Sequence, residues 1–144
     1  MHALLNDRTF DGRVMASDLL RVFIVEDSPL IRERLVEDIC SDSGVEVVGY
    51  ADSEQDAVAS IERARPDAVI VDISLRAGSG LGVIRRVRQK FPKARMCIAV
   101  LTNYAYPDLR RKSIECGADY FFDKAEEYEQ VGELIHDLAA SRAS

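Results

Sequence analysis

The sequence predicts a doubly wound α/β domain: a five-stranded parallel sheet with helices on both faces. Three observations predict it. Short β-branched runs alternate with amphipathic stretches five times along the 144 residues. The runs are apolar throughout, as expected of strands buried on both faces. Helical stretches separate every pair of runs, and right-handed crossovers between parallel strands place such helices on the two faces. The length suits one domain with its own core, and 47% hydrophobic with 31% charged residues describes an ordinary globule.

The elements follow in order. Val22–Val25 is the first strand and stops at the acidic pair Glu26-Asp27. Ser28 offers an N-cap oxygen and Pro29 fits the first helical position. Ile31, Leu35 and Ile39 then line one face of a helix. Val45–Val48 reads as the second strand, with a helix from about Ser53 to Ala64 turning Ala57, Val58 and Ile61 inward. Ala68–Val71 is the third strand, ending on Asp72, and Leu81, Ile84, Val87 and Phe91 mark the third helix. Ile98–Leu101 ends at Thr102-Asn103; Pro107 starts and Gly117 stops the fourth helix. Tyr120–Phe122 ends at Asp123-Lys124, and Val131, Leu134, Ile135 and Leu138 form the face of the last helix. Residues 1–20 lie outside the pattern and are expected to be an N-terminal arm or leader, with 21–144 as the domain.

Composition excludes several classes. A net charge of −6 argues against a nucleic-acid partner. Apolar runs such as Cys97–Leu101 are far shorter than the ~20 residues a membrane span needs, and the N-terminus lacks the pattern of a signal peptide. Cys40, Cys97 and Cys116 have no Cys-x-x-Cys spacing and are expected as small buried hydrophobes in a reducing, cytoplasmic setting. His2 and His136 offer no metal pair, and the run Arg85, Arg86, Arg88, Lys90, Lys93, Arg95 reads as a solvated helix face.

In an open α/β sheet, ligands bind beyond the carboxyl ends of the strands. Those ends carry Glu26, Asp27, Asp72, Thr102 and Lys124. Three carboxylates on one rim repel one another unless a cation joins them. Oxygen-only donors favour a hard cation, above all Mg²⁺. A hydroxyl and an ammonium beside such an ion make a site for a phosphoryl group.

In type, order and spacing these five residues resemble the receiver domain of bacterial response regulators, over roughly Arg21 to Ala140. The resemblance implies a flavodoxin-like (βα)5 sandwich. It implies Asp72 as phosphoacceptor, with Thr102 and Lys124 gripping the phosphoryl oxygens. It also implies Mg²⁺ held by Asp27 directly, by Glu26 through water, by Asp72 and by the Ser74 backbone carbonyl. Phe121 stands where the family has an aromatic switch residue. The implied donor is a sensor histidine kinase or a histidine phosphotransferase. The downstream partner is an unidentified protein, with Arg110, Arg111 and Lys112 of the fourth helix as a candidate contact. Because the chain ends at Ser144, a stand-alone receiver is expected, acting as a switch or phosphorelay intermediate rather than as a metabolic enzyme.

Three positions depart from the family pattern. Arg76 stands where Pro is usual, Asn103 where a small residue is usual, and Ala125 where Pro commonly follows the lysine. A cis bond before Ala125 would cost about 2.5–4 kcal/mol, which leaves the Lys124-Ala125 bond open between cis and trans. Two other chemistries fit less well. A haloacid dehalogenase-type phosphatase needs a second acid two residues after its nucleophile, where this chain has Ser74. A Gly-x-Gly-x-x-Gly reading of Gly78-Ser79-Gly80-Leu81-Gly82 fails at Val83, so these glycines read as a flexible loop beside Asp72.

Overall fold

The computed structural model of the chain describes residues 9–10, 13–14 and 18–143. Two short antiparallel strands come first, β1 (Thr9–Phe10) and β2 (Arg13–Val14). The domain proper runs β3 (Leu20–Val25), α1 (Pro29–Ile39), β4 (Val45–Ala51), α2 (Glu54–Ala64), β5 (Ala68–Val71), α3 (Gly80–Lys90), β6 (Cys97–Thr102), α4 (Pro107–Cys116), β7 (Tyr120–Asp123) and α5 (Tyr128–Ala143). Strands β3 to β7 form one sheet in the order β4-β3-β5-β6-β7, and all its pairings are parallel. Every strand therefore delivers its carboxyl end to the same edge.

The two-residue period of the strands sorts the core into two halves. On one face Phe23, Val25, Val69, Val71, Ile98, Val100 and Phe121 meet Ala57, Val58 and Ile61 of α2 and Val83, Ile84 and Val87 of α3. On the other face Val22, Ile24, Ala68, Ile70, Ala99 and Leu101 meet Leu35 and Ile39 of α1 and Val131, Ile135 and Ala139 of α5. Among the described residues, no helix is long and apolar enough to cross a membrane.

Several expectations need correction. The first two strands are longer than their apolar runs. Leu20, buried, opens β3, and β4 continues through Tyr50 to Ala51 at the sheet edge. The glycine segment is no flexible loop. Ser79 caps α3, its hydroxyl accepting from the Leu81 N–H, and Gly80 and Gly82 lie inside the helix. On α3, Val83 is buried beside Ile84 and Val87, while Leu81 packs against the same core only partly buried. Cys40 is exposed because it caps α1 just past the last core residue, and Cys97 and Cys116 are only half-buried. Arg88 is no solvated charge. Its guanidinium donates to the carbonyls of Gly117 and Met96 and to Asp119, and so buttresses the end of the sheet away from the acids. His136 meets the Ile39 carbonyl at 3.2 Å, while His2 lies outside the described residues. No cis peptide occurs among the described residues, so Lys124-Ala125 is trans.

Candidate phosphoryl-acceptor site

The edge formed by the strand ends brings Glu26, Asp27, Asp72, Thr102 and Lys124 together. Backbone hydrogen bonds extend the sheet into the site. The Glu26 N–H donates to Ala51 O at 3.0 Å, the Asp72 N–H to Val25 O at 2.9 Å and the Lys124 N–H to Thr102 O at 2.8 Å. The side chains thus start from fixed positions rather than from mobile loops.

Lys124 is the centre. Its side chain is 8% exposed, and its ammonium lies 2.8 Å from Glu26 Oε1 and 2.8 Å from Asp72 Oδ2. The second oxygen of Glu26 accepts from the Ser28 N–H at 3.0 Å, and Asp72 Oδ1 accepts from the Ser74 N–H at 3.3 Å. Asp27, by contrast, is exposed at the mouth. One oxygen from each of Glu26, Asp27 and Asp72 lies within 4.8 Å of the others, which makes an oxygen-only set of the kind a hard divalent cation takes. Thr102 is fully buried, and its hydroxyl accepts from the Tyr104 N–H at 3.2 Å.

Electrostatics follow from burial and pairing. Burial raises the Glu26 carboxyl above its ordinary value, and hydrogen bonds from Lys124 and Ser28 only partly offset that. Burial alone would lower the Lys124 ammonium, but hydrogen bonds to Asp72 and Glu26 outweigh it and leave the value raised. Lys124 is therefore a firm cation, with two buried acids sharing one positive charge.

The remaining candidates lie around this site on β7, α4 and the adjoining loops. Phe121 is buried in the core against the α2–α4 side, and the Arg110 guanidinium carbon stands 5.7 Å from its ring centroid. Ser74 is exposed on the loop after Asp72. Arg110, Arg111 and Lys112 are exposed on α4, although Arg111 pairs with Asp108 and Glu115 on its own helix. Tyr104 is 48% exposed and meets Tyr106, ring centroids 6.4 Å apart. Contacts that the sequence did not announce lie on the far side of Asp72. Arg76 pairs with Asp52 at 3.0 Å, and Glu54 accepts from the Ser79 N–H at 3.0 Å. The one sequence signal for this was the glycine spacing at 78, 80 and 82, which marks places where another group packs close.

Comparison with known proteins agrees with this fold. Residues 22–136 match the family model of the response regulator receiver domain. The chain is 30% identical over 125 residues to the DNA-binding transcriptional activator DevR/DosR of Mycobacterium tuberculosis, a match covering 87% of this chain and 57% of that protein. It is 37% identical over 100 residues to protein-glutamate methylesterase/protein-glutamine glutaminase 5 of Anaeromyxobacter dehalogenans, covering 69% of this chain and 27% of that one. It thus spans little more than half of the first relative and about a quarter of the second. Among solved structures, a LuxR-family DNA-binding response regulator from Staphylococcus aureus superposes with a TM-score of 0.75 at 26% identity, covering 84% of this chain and 99% of the other. The response regulator domain of Thermotoga maritima CheB shares the fold with a TM-score of 0.73 at 21% identity, covering 87% and 96% of the two chains.

Proposed function

Since the chain belongs to the response regulator receiver family of two-component signalling, we propose that Asp72 accepts a phosphoryl group from the phosphohistidine of a sensor histidine kinase or histidine phosphotransferase. The phosphorylated chain then acts as a switch or hands the group on in a relay. The observation that carries this reading is the buried Lys124 ammonium, 2.8 Å from both Glu26 and Asp72, beside a third carboxylate at the mouth.

The Asp72 carboxylate attacks the phosphorus in line. An O–P bond forms, the P–N bond to the donor imidazole breaks, and the nitrogen leaves with the electron pair. Lys124 already touches Asp72 and neutralises charge gathering on the phosphoryl oxygens. The buried Thr102 hydroxyl can rotate to donate to one of those oxygens. Glu26 holds the Lys124 ammonium from its other side and so fixes its direction. Glu26, Asp27, Asp72 and the Ser74 backbone carbonyl are the groups that would hold Mg²⁺, an ion that supplies positive charge against the phosphoryl oxygens when bound. Hydrolysis of the acyl phosphate returns the carboxylate and inorganic phosphate, so the chain is a resetting acceptor rather than a metabolic enzyme. Phe121 and its neighbour Arg110 connect this event to the α4 surface, where Arg110, Arg111 and Lys112 offer a downstream partner a basic contact.

Incubation with acetyl phosphate and Mg²⁺ tests the reading. One phosphoryl group should be added, Asp72→Ala should take up none, and a chelator should suppress labelling in the parent. Labelling of Asp72→Ala at the parent's level would refute it.

A further inference from the structure

We propose that Glu54, in the first turn of α2, is a positioning residue for the loop after Asp72, and that it sets the cation affinity of the acid cluster by fixing Ser74. The inference rests on the reading of that cluster as a Mg²⁺ site.

The segment between β5 and α3 is held mainly from outside, by the β4–α2 turn. The Arg76 N–H donates to Asp52 O at 3.2 Å, and the Glu54 N–H donates to Ala77 O at 2.9 Å. The Arg76 guanidinium reaches Asp52 Oδ1 at 3.0 Å. The Glu54 side chain adds a different kind of hold. Oε1 accepts from the Ser79 N–H at 3.0 Å, at the end of the loop, while Oε2 accepts from Arg86 at 3.1 Å, on α3. One carboxylate thus clamps the loop and the helix that follows it, next to the helix N-terminus, where negative charge is favoured. The hydrogen bond from Ser79 is also the leading reason that the Glu54 carboxyl sits below its ordinary value.

The glycines make room for this clamp. A Cβ at Gly82 would overlap the Glu54 carboxylate, and one at Gly78 would overlap its Cβ. Gly78 also has φ +79, a conformation that L side chains rarely adopt.

The clamp is connected to the acceptor by a short path. Ser79 stands opposite Ser74 in an isolated antiparallel bridge across the loop, closed by the Gly80 N–H donating to Ile73 O at 2.9 Å. Ser74 in turn donates its N–H to Asp72 Oδ1 at 3.3 Å. Glu54 holds Ser79, the bridge sets Ser79 opposite Ser74, and Ser74 carries the carbonyl proposed as a ligand.

The test measures Mg²⁺ affinity by calorimetry in the full chain, with urea unfolding in chelator run beside it. Groups that orient metal ligands typically cost tenfold or more in affinity when removed, so Glu54→Ala should weaken Mg²⁺ by about tenfold. Glu54→Gln keeps an oxygen for Ser79 and should recover most of that loss. Gly82→Ala should weaken Mg²⁺ in the parent, by displacing the carboxylate, and should do nothing further once Glu54 is Ala. In the unmodified chain, the Ser74 and Ser79 amide resonances should shift together as Mg²⁺ is added. Parent-like affinity in Glu54→Ala, or equal damage from Gly82→Ala in both backgrounds, would overturn the proposal, as would a parent that binds no Mg²⁺. Failure of Asp72 to label while the Mg²⁺ series behaves as expected would defeat only the proposed function.

Discussion

Lys124 has to serve two carboxylates at once, and that imbalance governs what single substitutions do. Glu26, Asp72 and Lys124 are buried, whereas Asp27 adds negative charge from the exposed mouth. In chelator, Asp27→Ala should raise the urea midpoint because it removes a repelling charge and leaves the buried pairing intact. Lys124→Ala strips two buried acids of their counter-charge and should cost about 3 kcal/mol, measured by the same unfolding curve. The Lys124 value is raised in the folded chain. Its contribution to stability is therefore complete below the ordinary lysine range and is lost as pH rises through the raised value. Stability of the parent should fall across that alkaline window, and a Lys124→Met variant should lack this component. The cysteines differ in a comparable way. Burial pushes the Cys97 thiol up to about 11, while Cys40 stands exposed. A thiol reagent at pH 8 should modify Cys40 first, which mass analysis of brief labelling would check. That Glu26, Asp27, Asp72, Thr102 and Lys124 share one rim was legible in the sequence because each stands where an apolar run stops. That Lys124 bridges two acids was not legible, because such a pairing is a distance across the sheet and leaves no local pattern.

The elements were most legible where packing and local chemistry agree. Pro29 and Pro107 both open helices, and Gly117 closes α4 with φ +121. Disagreement arose at α3, where glycines at 78, 80 and 82 suggested a loop by propensity. The requirement there is close approach. A Cβ at Gly80 would overlap the Asp72 carbonyl oxygen, so α3 can begin against the end of β5 only with glycine at that place. In an unconstrained helix Gly→Ala stabilises by about 1 kcal/mol. Gly80→Ala should do the reverse, lowering stability by about 1–3 kcal/mol through overpacking. A gain in the denaturation midpoint would show that the contact does not constrain the helix. The edge strand β4 outran its prediction for a related reason. Gly49 and Tyr50 break the apolar run, yet at the sheet edge a strand needs only one paired side, and both residues pair with β3.

At the scale of the molecule, the sheet separates two cores and gathers every strand end at one rim, so a cation bound there touches both halves through their shared strands. Mg²⁺ at ten times its dissociation constant should stabilise the whole fold by about 1.4 kcal/mol, by mass action. Thermal unfolding with and without the ion measures this, and Asp27→Ala should blunt the response. The doubly wound class was readable from alternation alone. The strand order was not, because the reversal that puts β4 outside β3 is a choice of crossover direction that apolar runs do not encode.

The position of β7 has a consequence for how the chain is made. Among the described residues this strand pairs with β6 alone and is the last of the sheet, and the residue just beyond it is Lys124. A ribosome-bound chain that has not yet delivered Tyr120–Asp123 holds all three carboxylates without their ammonium and leaves the apolar β6 as an open edge. Such edges invite pairing with other chains. The same short segment that closes the sheet also brings the cation, so the acid cluster gains its counter-charge only when the sheet is complete.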